Sequence, residues 1–252
     1  MSTLDKITAA DADNVQLPAS DPAWGERSRG EPRWPASLAV VASVLLYAAL
    51  PLKLQISFGP SQLGGVEKGI LPALELILLV SLTIAAPRRR PNEPRWQRYA
   101  AVALIALVNI ANIGSLGLLV HSLLEKGGGT NGATLLLSSI DIWLTNVIVF
   151  ALWYWELDRG GPDDRSHQAH RRPDFLFPQM VTPHCTRERW TPSFMDYLYV
   201  SFTNATAFSP TDTMPLTPWA KALMTIQALA SLLTVALVAA RAVNILGQQT
   251  GA

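Results

Sequence analysis

Five stretches of this chain are long and apolar enough to cross a bilayer, and nearly all of its charge lies between them. They run from Ala36 to about Ile56, then Ile70–Ala86, Tyr99–Leu124, Ala133–Trp155 and Trp219–Leu246. A hydrocarbon core is crossed by about 20 apolar residues in a helix. Within lipid, every backbone N–H and C=O has to find its partner inside the protein. The expected fold is therefore an all-α integral membrane protein. It would have five transmembrane helices and one further segment, re-entrant or interfacial. Composition agrees: charged residues make up 15% of the 252-residue chain, against about 25% in ordinary soluble domains.

The segments between the spans divide the chain. Residues 1–35 carry six acidic and four basic residues together with Pro18, Pro22, Pro32 and Pro35, the composition of a disordered polar tail. No apolar run in that tail resembles a signal peptide, so the first span is expected to direct insertion. Residues 36–157 form a four-helix region, 158–193 a polar loop rich in Arg and His, and 194–252 a pore-loop-like segment with the fifth span. Orientation follows from the basic residues of the connections. With the N-terminus inside, Lys6, Arg27, Arg29, Arg33, the five arginines of PRRRPNEPRWQR and the six of the long loop are cytoplasmic. Only Lys53, Lys68 and Lys126 fall outside, fifteen against three. This predicts the inner (plasma) membrane, a cytoplasmic N-terminus and an external C-terminus, with Trp34, Trp96, Tyr99, Trp153, Trp155 and Trp219 at the inner interface.

The stretch Asp196–Pro218, DYLYVSFTNATAFSPTDTMPLTP, is too short and too polar to span, yet it lies between two spans. A hydroxyl-rich, Pro-broken segment there is either a re-entrant hairpin or a short amphipathic helix at the interface. Together with FALWYWELD (Phe150–Asp158) and DFLFPQ (Asp174–Gln179), its first part DYLYVSFTNATAFSPTD resembles a bacterial membrane family known as domain of unknown function 1345. That resemblance covers roughly residues 145–246 and implies a membrane fold without implying an activity. The same segment is similar to the pore loop of two-helix potassium channels, with Asp212, Pro215 and Thr217 on the channel's Asp, Pro and Thr. The filter position then reads Ala207-Phe208-Ser209-Pro210-Thr211, without glycine, and Pro210 fixes its φ and has no N–H. A potassium-selective ring of carbonyls is not expected from it.

Two functions follow from these residues. In the first, the chain is a channel-like or carrier-like pore without potassium selectivity, its path lined by Thr203, Asn204, Thr206, Ser209, Thr211 and Asp212. One such segment cannot enclose a pore, so this reading needs a homo-oligomer, a tetramer by the channel likeness. In the second, the chain is a non-conducting structural or interaction protein whose cytoplasmic loop recruits a partner.

Inside the spans, Glu75, Asp141 and Arg241 are expected to form a charge cluster, Arg241 pairing with Asp141 because an unpaired charge in hydrocarbon is costly. Ser138, Asp141 and Thr145 share one helical face, as do Asn109, Asn112 and Ser115, and Gln227, Ser231, Thr234 and Arg241. Such faces serve interhelical hydrogen bonding or a permeation path. His167, His170, His184 and Cys185 lack a second ligand pair at metal spacing, and the one cysteine excludes an intrachain disulfide. Ser201 and Ser209 lack a nucleophile elbow and an intramembrane base. A net charge of +1 without a nucleic-acid motif leaves the lipid bilayer and a small ion or solute as partners. No enzyme chemistry, cofactor or metal is expected.

Overall fold

Long runs of Ala, Leu, Ile and Val become helices wherever the structure describes them. The structure is a computed structural model and describes residues 34–49, 95–124, 132–167, 172–182, 190–207 and 212–250. Its four long helices are α1 (Trp34–Ala49), α2 (Arg95–Leu124), α3 (Gly132–Leu157) and α7 (Pro218–Thr250). Three short ones lie between α3 and α7: α4 (Gly161–His167), α5 (Pro178–Val181) and α6 (Phe194–Ala207). The expected second span, 70–86, and the N-terminal tail lie outside the described residues. Two of the described helical stretches are long and apolar enough to cross a membrane, Ser139–Gly160 and Pro218–Ala240, with mean hydropathies of 1.3 and 2.1.

Four contacts fix how the helices run. Arg98, near the start of α2, forms an ion pair with Asp164 of α4, just past the end of α3, at 3.6 Å. Farther along, Leu116 of α2 packs with Ile142 of α3, so the two helices are antiparallel. On the other side, Tyr154 of α3 donates to Gln227 of α7 at 2.5 Å, and Asn146 donates to Ser231 at 3.0 Å. The α7 helix is therefore antiparallel to α3 as well. The starts of α2 and α7 and the end of α3 share one end of the bundle.

Sequence explains where the helices at that end begin. Pro218 opens α7 with its fixed φ, and the Thr217 hydroxyl accepts from the Ala220 N–H at 3.3 Å. Ser193 precedes α6, and both its N–H and its hydroxyl donate to Asp196 Oδ2, at 2.7 and 2.8 Å. That is the return half of a capping box, with aspartate in place of glutamate.

The burial pattern of α7 is inside out. Ala220, Met224, Gln227, Ser231 and Thr234 are buried at helical spacing, while Ile226, Leu229, Leu232, Leu233 and Val235 are exposed. A helix on a water-soluble protein turns its apolar stripe inward. The first half of α3 repeats the inversion, with Ser139, Asp141, Thr145 and Asn146 inside and Leu137 and Ile140 outside. The main apolar core lies instead toward the shared end. It is built on aromatic rings: Trp155 against Phe194 at 5.9 Å, Tyr154 against Phe175 at 4.9 Å, and Phe177 against Tyr197 at 5.4 Å between centroids.

One departure from the sequence reading concerns the polar loop 158–193. Its beginning is not a solvated loop: Asp158, Arg159 and Arg165 are buried, and Phe175, Phe177 and Met180 join the core. Two of the arginines counted toward the cytoplasmic charge bias are thus part of the packed fold. The physical reason is the end of α3, whose last carbonyls need donors.

Candidate functional site

The end of α3 is organised by Asp158, which is fully buried. The helix stops because the next residues take left-handed backbone: Arg159 at φ 51°, Gly160 at 84° and Gly161 at 94°. Glycine is required at Gly161, where a Cβ would stand 3.0 Å from the Glu156 carbonyl oxygen. Asp158 Oδ1 accepts the backbone N–H groups of Asp174 and Phe175 at 2.8 and 3.3 Å. Its Oδ2 accepts the Tyr197 hydroxyl at 2.6 Å and Arg159 Nε at 3.3 Å. A carboxylate has about four lone-pair sites, so this one is saturated. Asp174 returns the contact, accepting the Arg159 N–H at 2.9 Å. Arg165 donates to the carbonyls of Trp155 and Asp158, both at 2.7 Å, and its guanidinium lies 5.3 Å from the Tyr197 ring centroid. A cation on the last carbonyls of a helix also complements its dipole.

This knot holds both ends of the hydroxyl-rich segment. Tyr197, in the first turn of α6, is tied to Asp158. From there α6 runs antiparallel to α3: the Ser201 hydroxyl donates to the Val147 carbonyl at 2.6 Å, and Phe202 meets Trp143 edge to face at 5.8 Å. Trp143 lies roughly 22 Å back along α3 from Asp158 at 1.5 Å per residue. The chain then returns. Strand β2 (Met214–Pro215) pairs antiparallel with β1 (Phe175–Leu176), and the Leu216 N–H donates to the Asp174 carbonyl at 2.8 Å. The segment leaves the Asp158 end, descends beside α3 and comes back to the same end.

The descent is secured by a second buried network. Gln227 of α7 accepts from Tyr154 and from Asn204 Nδ2 (2.9 Å), and donates to the carbonyl and hydroxyl oxygens of Ser201 at 3.0 and 2.6 Å. Asn204 also donates to the Met224 carbonyl at 2.9 Å. Every polar atom of the Gln227 side chain is used, and α3, α6 and α7 meet on it.

Of the six path-lining candidates, Thr203, Asn204, Thr206 and Asp212 lie among the described residues. Asn204 is buried and held to α7. Thr203 and Thr206 turn their hydroxyls back onto their own helix, to the carbonyls of Tyr199 and Phe202 at 2.7 and 2.9 Å. Asp212 is exposed just before β2, and Ser209 and Thr211 lie outside the described residues. Asp141 is buried, its Oδ1 accepts no hydrogen bond, and it joins neither ion pair formed among the described residues. Glu75 and the Arg241 side chain lie outside what is described. Leu237 of α7 packs on the Leu116–Ile142 contact beside Asp141, so Arg241, one turn further, is roughly 6 Å past it along the axis. Asn112, Thr145, Ser231 and Thr234 are buried on the faces that their spacing indicates.

Sequence reasoning passed over Asp158 and Tyr154, whereas Gln227 stood on the polar face expected to serve interhelical hydrogen bonding or a path, and it makes such bonds. The signal for the first was present: Asp-Arg-Gly-Gly directly after an apolar helix is a stop with left-handed backbone. Beside α6 and α7 lies an open groove of about 400 Å³, lined by Asn204, Pro215 and the Lys221–Leu232 face of α7. Among the described residues no three His, Cys, Asp or Glu side chains come together as a metal set. No family model matches the chain, and no curated protein and no solved structure is significantly similar to it.

Proposed function

We propose that this chain is a multi-pass protein of the plasma (inner) membrane in which the α6 hairpin lines a path for a small ion or solute when copies assemble. The observation that carries the reading is the return of the chain: α6 runs beside α3 and Met214 is back at the end where Phe194 began. Irregular backbone at membrane depth belongs where protein or a wet cavity satisfies its polar groups. The inverted burial of α3 and α7 supports a lipid surround, since leucine faces out and polar groups face in. In this placement five spans cross the bilayer, the Asp158 end is cytoplasmic and the C-terminus is external.

A single hairpin cannot enclose a pore, so the path lies between copies, four by the channel analogy. Thr206 and Asp212 are exposed, and in this reading they face it. Without glycine from Ala207 to Thr211, conductance discriminates little between potassium and sodium. Purified protein in proteoliposomes, challenged with a panel of cations, anions and small solutes, tests the reading. Flux that changes with Asp212→Asn is expected, and its absence for every solute sinks the path. Steep potassium selectivity would show that the segment has been misread.

A specific observation favours a second reading, a non-conducting membrane scaffold: Ser201 and Asn204 are spent on holding α6 to its own bundle. A monomeric mass in detergent together with absent flux would select it.

A further inference from the structure

The groove beside α6 and α7 has a polarity gradient along its length. It follows Lys221, Thr225, Ala228 and Leu232 on one face of α7, with Met224 and Leu229 at its sides. From Lys221 to Leu232 the helix rises roughly 16 Å. Half of a hydrocarbon core is about 15 Å. The groove is therefore one leaflet deep, and its polar mouth sits at the end of the bundle where α7 begins. Trp219, 79% exposed, flanks that mouth as an interfacial indole would. Lys221 is exposed at the mouth and joins neither ion pair among the described residues. Below it, Met224, Ala228, Leu229 and Leu232 offer apolar surface, with alanine leaving the depth.

We propose that this groove is a binding site for one anionic phospholipid of the cytoplasmic leaflet, its phosphate on Lys221 and an acyl chain along Ala228 and Leu232. The charge at the mouth selects the headgroup: a basic residue between helices at the cytoplasmic face attracts anionic lipid, and the ammonium reaches the headgroup plane by extending its own apolar stem. The apolar floor selects a chain rather than a soluble anion. Because Asn204 and Pro215 also line the groove, the bound lipid braces the α6 hairpin and its return strand from outside. The inference rests on the membrane placement proposed above.

The test uses the full chain in detergent, titrated with phosphatidylglycerol or phosphatidylcholine while thermal unfolding is followed. Phosphatidylglycerol at about ten times its Kd is expected to raise Tm by on the order of 3–6 °C, with a markedly smaller rise for phosphatidylcholine. Lys221→Gln removes that preference, and Ala228→Trp, which fills the groove, removes the response to both lipids. Equal stabilisation by the two lipids, or a preference that survives both variants, overturns the proposal. A change in oligomer mass on Ala228→Trp, without any lipid response in the parent, assigns the groove to a second copy and also overturns it. Flotation with liposomes separates this failure from the larger one. A chain that floats but shows no headgroup preference refutes the site alone, and one that does not float refutes the membrane placement.

Discussion

At the scale of single residues, the buried carboxylate of Asp158 is the most informative group in the molecule. Its four donors come from three separate elements, so each removal should be felt at a distance. Tyr197→Phe keeps the ring that packs on Arg165 and Phe177 and deletes only the donor at 2.6 Å. A hydrogen bond to a charged group contributes about 1.5–3 kcal/mol. Chemical or thermal unfolding of the detergent-solubilised variant should register a loss of that size, and no loss would mean the hydroxyl is not tied to Asp158. Asp141 presents the opposite case, a buried carboxylate whose Oδ1 accepts no hydrogen bond. Arg241, about one turn past it on α7, remains the proposed partner. Asp141→Ala and Arg241→Ala should each cost more than the double variant, because a single removal strands a charge. Additive losses in a thermal-stability cycle would show that no pair exists. Sequence made Asp141 conspicuous, since a charge within an apolar run stands out. Asp158 was hidden because it sits at the border of a run, where charge is ordinary, and its partners other than the adjacent Arg159 are 16 to 39 residues away.

At the scale of elements, α2, α3 and α7 begin and end close to the spans read from hydropathy. Length and apolarity are local properties, so they are legible without knowing any partner. The α6 segment was legible only as a choice between a pore-like re-entry and an interfacial helix, because its direction depends on contacts with α3 and α7. The path-lining threonines illustrate the same limit. A run of hydroxyls looks like a lining, yet in a helix Thr203 and Thr206 bond to carbonyls of their own preceding turn. What holds α6 down is Gln227, one amide serving Tyr154, Asn204 and Ser201. Gln227→Leu fits the volume but takes one hydrogen-bond partner from each of those three groups, leaving Ser201 its bond to Val147 and Asn204 its bond to Met224. It should destabilise by about 2–4 kcal/mol and expose α6 to backbone hydrogen exchange. Unchanged exchange in residues 197–207 would mean that apolar packing alone suffices.

At the scale of the whole molecule, the start of α2 and the residues just after α3, far apart in sequence, meet at one end of the bundle, as the ion pair of Arg98 with Asp164 records. The arginine bias needs that meeting, although Arg159 and Arg165 are now occupied inside the fold. In the proposed orientation, which puts that end in the cytoplasm, reporter fusions at Ala252 and in the turn Lys126–Gly132 should both read as periplasmic. A cytoplasmic signal from either one overturns the orientation. The hydrogen bonds that close the bundle also set an order of events. Tyr154 and Gln227 are 73 residues apart, and Asn146 and Ser231 are 85 apart. A ribosome delivers α3 and then α6 well before it delivers α7, so during synthesis the first two wait with Tyr154, Ser201 and Asn204 unmatched by Gln227. The last helix acts as a latch: until Gln227 has been made and inserted, the hairpin has its anchor at Asp158 and its contacts with Val147 and Trp143 of α3, but lacks the bonds that close it from the other side. Nascent chains truncated before Gln227 should therefore remain open to protease at the α6 segment, and chains released a few turns later should close.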